Sequence, residues 1–260
     1  MHFQIIPRLM TCLLFILFFV HAYSAEENFL LVNDTSNETV LRLGPHTHQR
    51  MSPCCTFNIA LSLMGYDAGI LKDEKDPIWP FQAGYEDDYD SWKTSQTPLS
   101  WMKHSAVWYS KLLATQVGLE TMQSYLTLFD YGNRDLTGGL TKHWLSSSLK
   151  ISPAEQVKFI QKLIHTNLPI SKEAFEKTKI LLFKEELPEG WKLYGKTGKG
   201  SFSDPEGQRL EIVWFVGWVE KGSFFFPFAY NIREEKIPPG LSIPRVKQLL
   251  VEATVLSKIV

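Results

Sequence analysis

The sequence predicts an α+β fold in which an antiparallel sheet is assembled from both ends of the chain and a helical region lies between them. Three observations carry that prediction. Strand-like runs open the globular part, helix-period segments fill its middle from about Ser52 to Lys184, and strand-like runs return from Trp191 onward. Helices and strands therefore do not alternate, which argues against parallel βαβ units. With 44% apolar and 13% aromatic residues in 260, the chain can bury one large core. A helical subdomain set apart from the sheet would leave a crevice between the two, where a site is expected.

The elements follow in order. Met1 to Arg8 carries one positive charge and no acid, Leu9 to Val20 is an apolar run too short to span a membrane comfortably, and Ala22-Tyr23-Ser24 offers small residues for cleavage. Residues 1–24 thus read as a secretory signal peptide, against the alternative of an uncleaved anchor, and 25–260 as a single domain. A periplasmic or secreted location follows, with no stable membrane span after cleavage. Phe29 to Asp34 and Thr39 to Gly44 flank a Thr-Ser-Asn-rich turn, a hairpin signal. Helices are predicted over Met51 to Leu71, Leu99 to Val117, Leu119 to Phe129 and Pro153 to His165, the last with Ser152 as N-cap. Asp73 to Asp90 is the one long loop. Strands are predicted at Lys192 to Gly195, through the Trp214 run and from Ser223 to Ile232, before Pro244 opens a last helix through Val255.

Composition narrows the function classes. A formal net charge of -1 provides no basic field for phosphates, so nucleic acid is not an expected partner. The seven histidines show no metal-ligand spacing with cysteines or carboxylates, and no Gly-rich phosphate loop is visible. Beyond the leader only Cys54 and Cys55 remain. Being adjacent, they are two buried thiols, a strained and reducible vicinal disulfide, or one reactive thiol beside a packing residue.

Four short motifs carry the chemistry: Cys55-Thr56-Phe57-Asn58, Ser105-Ala106-Val107, Tyr131-Gly132-Asn133 and Lys196-Thr197-Gly198. Asp76-Pro77-Ile78-Trp79, His143-Trp144-Leu145 and Trp214-Phe215-Val216-Gly217-Trp218 accompany them. In order and spacing the set resembles the class D β-lactamases, or oxacillinases, over roughly Phe29 to Val255. That resemblance implies the β-lactamase and penicillin-binding-protein transpeptidase-like fold, a β-lactam or peptidoglycan-like small molecule as partner, and hydrolysis through an acyl-enzyme. A homodimer is left open.

The same resemblance assigns residues. Cys55 stands at the nucleophile position, where the family has Ser, and Asn58 at the position of the family's carbamylated Lys. Ser105, with Val107 two residues on, is similar to the proton-relay serine. Lys196, Thr197 and Gly198 resemble the substrate-binding strand, and Arg245 the carboxylate-clamping arginine. The oxyanion hole is expected from the backbone N–H groups of Cys55 and Lys199. Trp144 matches the tryptophan that holds the carbamate.

Two departures set the functional expectation. A thiol can attack, but a carboxamide cannot be carbamylated and accepts no proton near neutral pH, so no cofactor-like carbamate is expected. Efficient turnover is accordingly not expected, and the alternative is a catalytically impaired penicillin-binding or sensor-like periplasmic protein that binds or traps β-lactams.

Overall fold

Glu26–Asn33 (β1) and Glu38–Leu43 (β2) form the predicted hairpin, in the computed structural model that describes residues 25–256; the signal-peptide reading falls outside these residues. Asn33 Oδ1 accepts from Thr35 N at 3.0 Å and so ties the turn. Along β1 the pleat sends Phe29 and Leu31 to one core and Leu30 and Val32 to the other, which makes β1 an interior strand covered on both faces.

The remaining strands come from the second half of the chain: Phe183–Glu186 (β3), Lys192–Ser203 (β4), Arg209–Lys221 (β5) and Phe224–Glu234 (β6). They complete a six-stranded antiparallel sheet in the order β2-β1-β6-β5-β4-β3. Both ends of the chain meet where β1 pairs with β6, through Glu26↔Arg233 to Leu31↔Phe228. The fold class read from the sequence is thus the one observed.

Asn58–Asp67 (α1) lies at the centre of the larger core. Its residues from Asn58 to Tyr66 are all buried, as expected of a helix surrounded by protein on every side. Around it stand Pro98–His104 (α2), Val107–Val117 (α3), Leu119–Phe129 (α4), Pro153–Ile164 (α5) and Lys172–Leu182 (α6). Ser152 caps α5 as predicted: Glu155 N donates to its hydroxyl at 3.2 Å, and Ser152 N donates back to the Glu155 carboxylate at 2.9 Å. Ser242–Glu252 (α7) covers the opposite face of the sheet with Val246, Leu249 and Leu250.

Two predicted helices are corrected. The Met51 to Leu71 segment opens not as α-helix but as a 3-10 turn over Cys54–Phe57, since Pro53 and a Cys54 held at φ +50° set a tighter entry. The Leu99 to Val117 segment is two helices, interrupted where Ser105 takes φ +59° and Ala106 is extended. Both breaks fall on residues of the four motifs. Lys196-Thr197-Gly198 lies inside β4, as the resemblance to a substrate-binding strand implied, and the strand runs on past the Lys192 to Gly195 stretch read from local pattern.

The segment from Tyr131 to Ile151 is irregular but pinned. Asn133 Nδ2 donates to Ser148 O at 2.8 Å, and its Oδ1 accepts from Lys150 N at 2.8 Å. Gly132 sits at φ +54°, and a Cβ there would come within 2.1 Å of Lys150 O, so this contact requires glycine. The Tyr131-Gly132-Asn133 motif therefore folds the chain so that His143 and Trp144 are fully buried.

His143 is buried with one ring nitrogen, Nδ1, 3.1 Å from Gly139 O, and burial brings its pKa down to about 4. Because the folded value lies below the unfolded one, its contribution is complete above about pH 6.5 and is lost as pH falls toward about 4. Urea midpoints should reveal a loss of about 3 kcal/mol across that window, and His143→Gln should flatten this part of the slope. A second expectation concerns β4. A Cβ on Gly198 would stand 3.0 Å from Pro53 O and 3.1 Å from the amide nitrogens of Cys55 and Thr56, so Gly198→Ala should cost about 1–3 kcal/mol in the same assay.

Candidate active site

The cleft is built where the Cys54–Phe57 turn meets β4. Pleat alternation places Lys196, in register with Val216 and Ala229 of the larger core, on the helical face. Gly198 and Gly200 share that phase, and their missing side chains admit the turn: a Cβ on Gly200 would fall 2.5 Å from Cys54 Sγ and 2.7 Å from Ser146 Oγ. Cys54 is consequently a packing residue, with burial raising its thiol to about 12. Cys55 is only partly buried. Of the three possibilities for the vicinal pair, the structure has free thiols in unequal environments, one packed and one facing the cleft.

Ser105 reaches the site because of the left-handed break after α2, and Lys196 Nζ donates to its hydroxyl at 2.5 Å and to Thr197 O at 2.9 Å. Burial holds the Cys55 thiol above its usual range, against the opposing pull of Lys196 and a hydrogen bond to Ser105. Burial likewise lowers Lys196. The structure thus brings Cys55, Ser105 and Lys196 together. Val107, the first residue of α3, is half-buried beside them in sequence.

The backbone donors also fit. Ser201 N donates outward from the sheet to Ser146 Oγ at 3.1 Å, and since N–H directions repeat every second residue, Lys199 N points to the same open edge of β4. Gly198 lets the Cys55 N–H approach that edge. The Lys199 side chain plays no part there, because its ammonium pairs with Glu211 at 2.8 Å. Thr197 has the opposite pleat phase, in register with Phe215 and Tyr230, and what it gives Lys196 is its carbonyl.

Arg245 is not brought to the cleft, which corrects its reading as a carboxylate clamp. Nε and Nη2 hold the two oxygens of Glu27 at 2.7 and 2.8 Å, and Tyr230 also donates to Glu27 at 2.9 Å. Glu27 has the pleat phase of Phe29 and Leu31, so this network lies on the α7 side of the sheet. Although burial tends to raise the Glu27 carboxyl, its hydrogen bonds to Arg245 and Tyr230 hold it below the usual range.

Asn58 and Trp144 are both fully buried. Asn58 Oδ1 accepts from Ser110 Oγ at 3.1 Å, and Ser110 accepts from Trp101 Nε1 at 2.8 Å. Trp144 stacks on Phe57 with ring centroids 5.4 Å apart. Asn58 Nδ2 and Trp144 Nε1 find no acceptor among the described residues. The carbamate implied by the resemblance does not fit this set, because an amide nitrogen is not the nucleophilic amine that takes up carbon dioxide. Sequence reasoning missed Ser110, whose one signal was a hydroxyl three residues after Val107 on the same helix.

Comparison with known proteins agrees with this geometry. Residues 24–253 match the family described as the penicillin binding protein transpeptidase domain. The chain is 37% identical over 220 residues to "Beta-lactamase OXA-9" of Klebsiella pneumoniae, covering 80% of each chain. It is 38% identical over 199 residues to "Beta-lactamase OXA-1" of Escherichia coli, covering 74% of this chain and 70% of that one. Among solved structures, the OXA-427 class D β-lactamase superposes with a TM-score of 0.80 at 35% identity, over 88% of this chain and 97% of that one. With its fold, its Ser105–Lys196 pair and its glycine-lined strand, the chain belongs to the class D β-lactamase family.

Proposed function

We propose that this protein recognises β-lactams in the cleft and is acylated by them on Cys55 without sustained turnover. The observation that carries the reading is Asn58: fully buried, its carbonyl taken by Ser110, it provides no ionisable group where the family places its base. Hydrolysis of the family's kind needs that group twice, once for attack and once for water.

Acylation has a route that avoids it. Cys55 Sγ attacks the lactam carbonyl carbon, the carbonyl oxygen is held by the Cys55 and Lys199 N–H groups, and the C–N bond breaks. The thiol proton passes to Ser105, whose own proton goes to the departing nitrogen, and Lys196 holds Ser105 in place. All atoms of the lactam stay on the enzyme as a thioester. Release requires a water stripped of its proton, and neither a carboxamide nor a buried indole accepts one. Loss of a general base costs about 10²- to 10⁴-fold on a step. The leader read in the sequence supports an exported, periplasmic or secreted setting for this encounter.

Intact-mass measurement after exposure to benzylpenicillin should find one adduct of the full drug mass on Cys55, persisting for hours and absent in Cys55→Ala. Steady hydrolysis with no accumulating adduct would overturn the reading, and binding without an adduct would favour a non-covalent, sensor-like role, which the raised Cys55 thiol also supports. Restoring the missing pair gives a second check. Cys55→Ser with Asn58→Lys should recover hydrolysis that depends on added bicarbonate, whereas Cys55→Ser alone should stay at least about 10²-fold below the double variant.

A further inference from the structure

We propose that Lys184 and Lys196 together hold the acid group of the ligand, at the end of the cleft where β3 closes the edge of β4. This rests on the β-lactam reading above and adds the residue that recognises the carboxylate. The task was expected of Arg245, which is committed to Glu27 on the other face of the sheet.

The placement comes from the strand register. β3 pairs with β4 from Phe183↔Tyr194 to Glu186↔Lys192, so among the described residues no strand covers the edge of β4 beyond Tyr194. The register shifts between Phe183 and Glu185, which makes Lys184 the extra residue of a bulge, and bulges re-aim side chains. Phe183 stays in the ladder with its ring against Tyr194, centroids 5.5 Å apart. Glu185 turns to the α7 side, where Lys247 meets it at 2.9 Å. Lys184, half-buried, has neither hydrogen bond nor ion pair among the described residues.

Its charged neighbour is Lys196, two residues beyond Tyr194 on β4, and Lys196 has no carboxylate partner either. Of the acids on the surrounding elements, Glu220 pairs with Lys179 of α6 at 2.8 Å and Glu211 with Lys199, while Glu186 is exposed and acts on Tyr194 only through its charge. Burial first, and Lys196 second, bring the Lys184 ammonium down to about 8. At neutral pH it is still mostly charged. Two ammonium groups sharing a partly desolvated corner without a counter-charge are relieved by an anion between them. A ligand lying along the open edge of β4, with its carbonyl at the Cys55 and Lys199 N–H groups, directs an acid group toward the closed end by extending only a few atoms.

The test compares benzylpenicillin with its methyl ester, which removes the negative charge and little else. Rates of Cys55 adduct formation, or affinities if binding is non-covalent, are measured at low salt for the native chain, Lys184→Met, Lys184→Gln and Lys184→Arg. Removing the charge should slow or weaken the acid about tenfold or more while the ester changes less than about twofold, and Lys184→Arg should restore most of the loss. An equal fall for acid and ester, or no fall for the acid in the folded Met or Gln variant, would overturn the proposal. If the native chain takes up neither compound, the β-lactam reading fails, and this inference fails with it.

Discussion

The close approach of the Cys54–Phe57 turn to β4 is the contact on which the site depends. It is made by two glycines of one pleat phase, Gly198 under Cys55 and Gly200 under Cys54 and Ser146. That approach brings a helix-borne thiol to a strand edge, sets its amide beside the open N–H of Lys199, and buries Cys54 as a wedge. A methyl group on Gly200 would meet the Cys54 and Ser146 side chains. One on Gly198 would meet peptide nitrogen and oxygen of the entering turn, which cannot shift without moving Cys55.

Much of this was legible in the sequence, and for identifiable reasons. The hairpin, the capping box at Ser152 and the Trp214 strand announce themselves through local patterns, because period and capping are local properties. Juxtaposition of Cys55, Ser105 and Lys196 followed from the family resemblance, which carries nonlocal information that periodicity lacks. Illegible were the two helix breaks. Both rest on a non-glycine residue in the left-handed region, Cys54 at φ +50° and Ser105 at φ +59°, a conformation imposed by tertiary contacts rather than by propensity. Arg245 was misread for a related cause. A basic residue in the last helix has a sequence position but no sequence-visible partner, and its partner Glu27 lies more than two hundred residues away.

The features that persist in the cleft differ in kind from those that depart. The oxyanion donors expected from the resemblance are backbone groups, indifferent to side-chain identity. The glycines act through absence of a side chain, and Tyr131-Gly132-Asn133 acts through folding the wall that buries Trp144. Each is fixed by geometry shared with the fold's stability, so its loss would register as misfolding as well as altered chemistry. Cys55 and Asn58 are fixed by neither. The Asn58 position accepts a carboxamide because Ser110 and Trp101 form a hydrogen-bonded line that satisfies its carbonyl, at the expense of leaving Nδ2 and the Trp144 indole without acceptors. Unsatisfied buried donors cost about 1–3 kcal/mol each, within the reserve of a fold with two cores.

A carboxamide at position 58 also bears on the electrostatics of the cleft. Around the nucleophile stand a thiol whose pKa burial raises and two lysines whose pKa values burial lowers, with no carboxylate among their partners. All three shifts disfavour charge. An anion between two ammonium groups offsets their positive charge, so it supplies no added field that would favour thiolate at Cys55. On the reading proposed above, recognition of an acid group by the lysines and attack by Cys55 are therefore separate contributions. On that reading neither contribution reaches the water that would have to break the thioester.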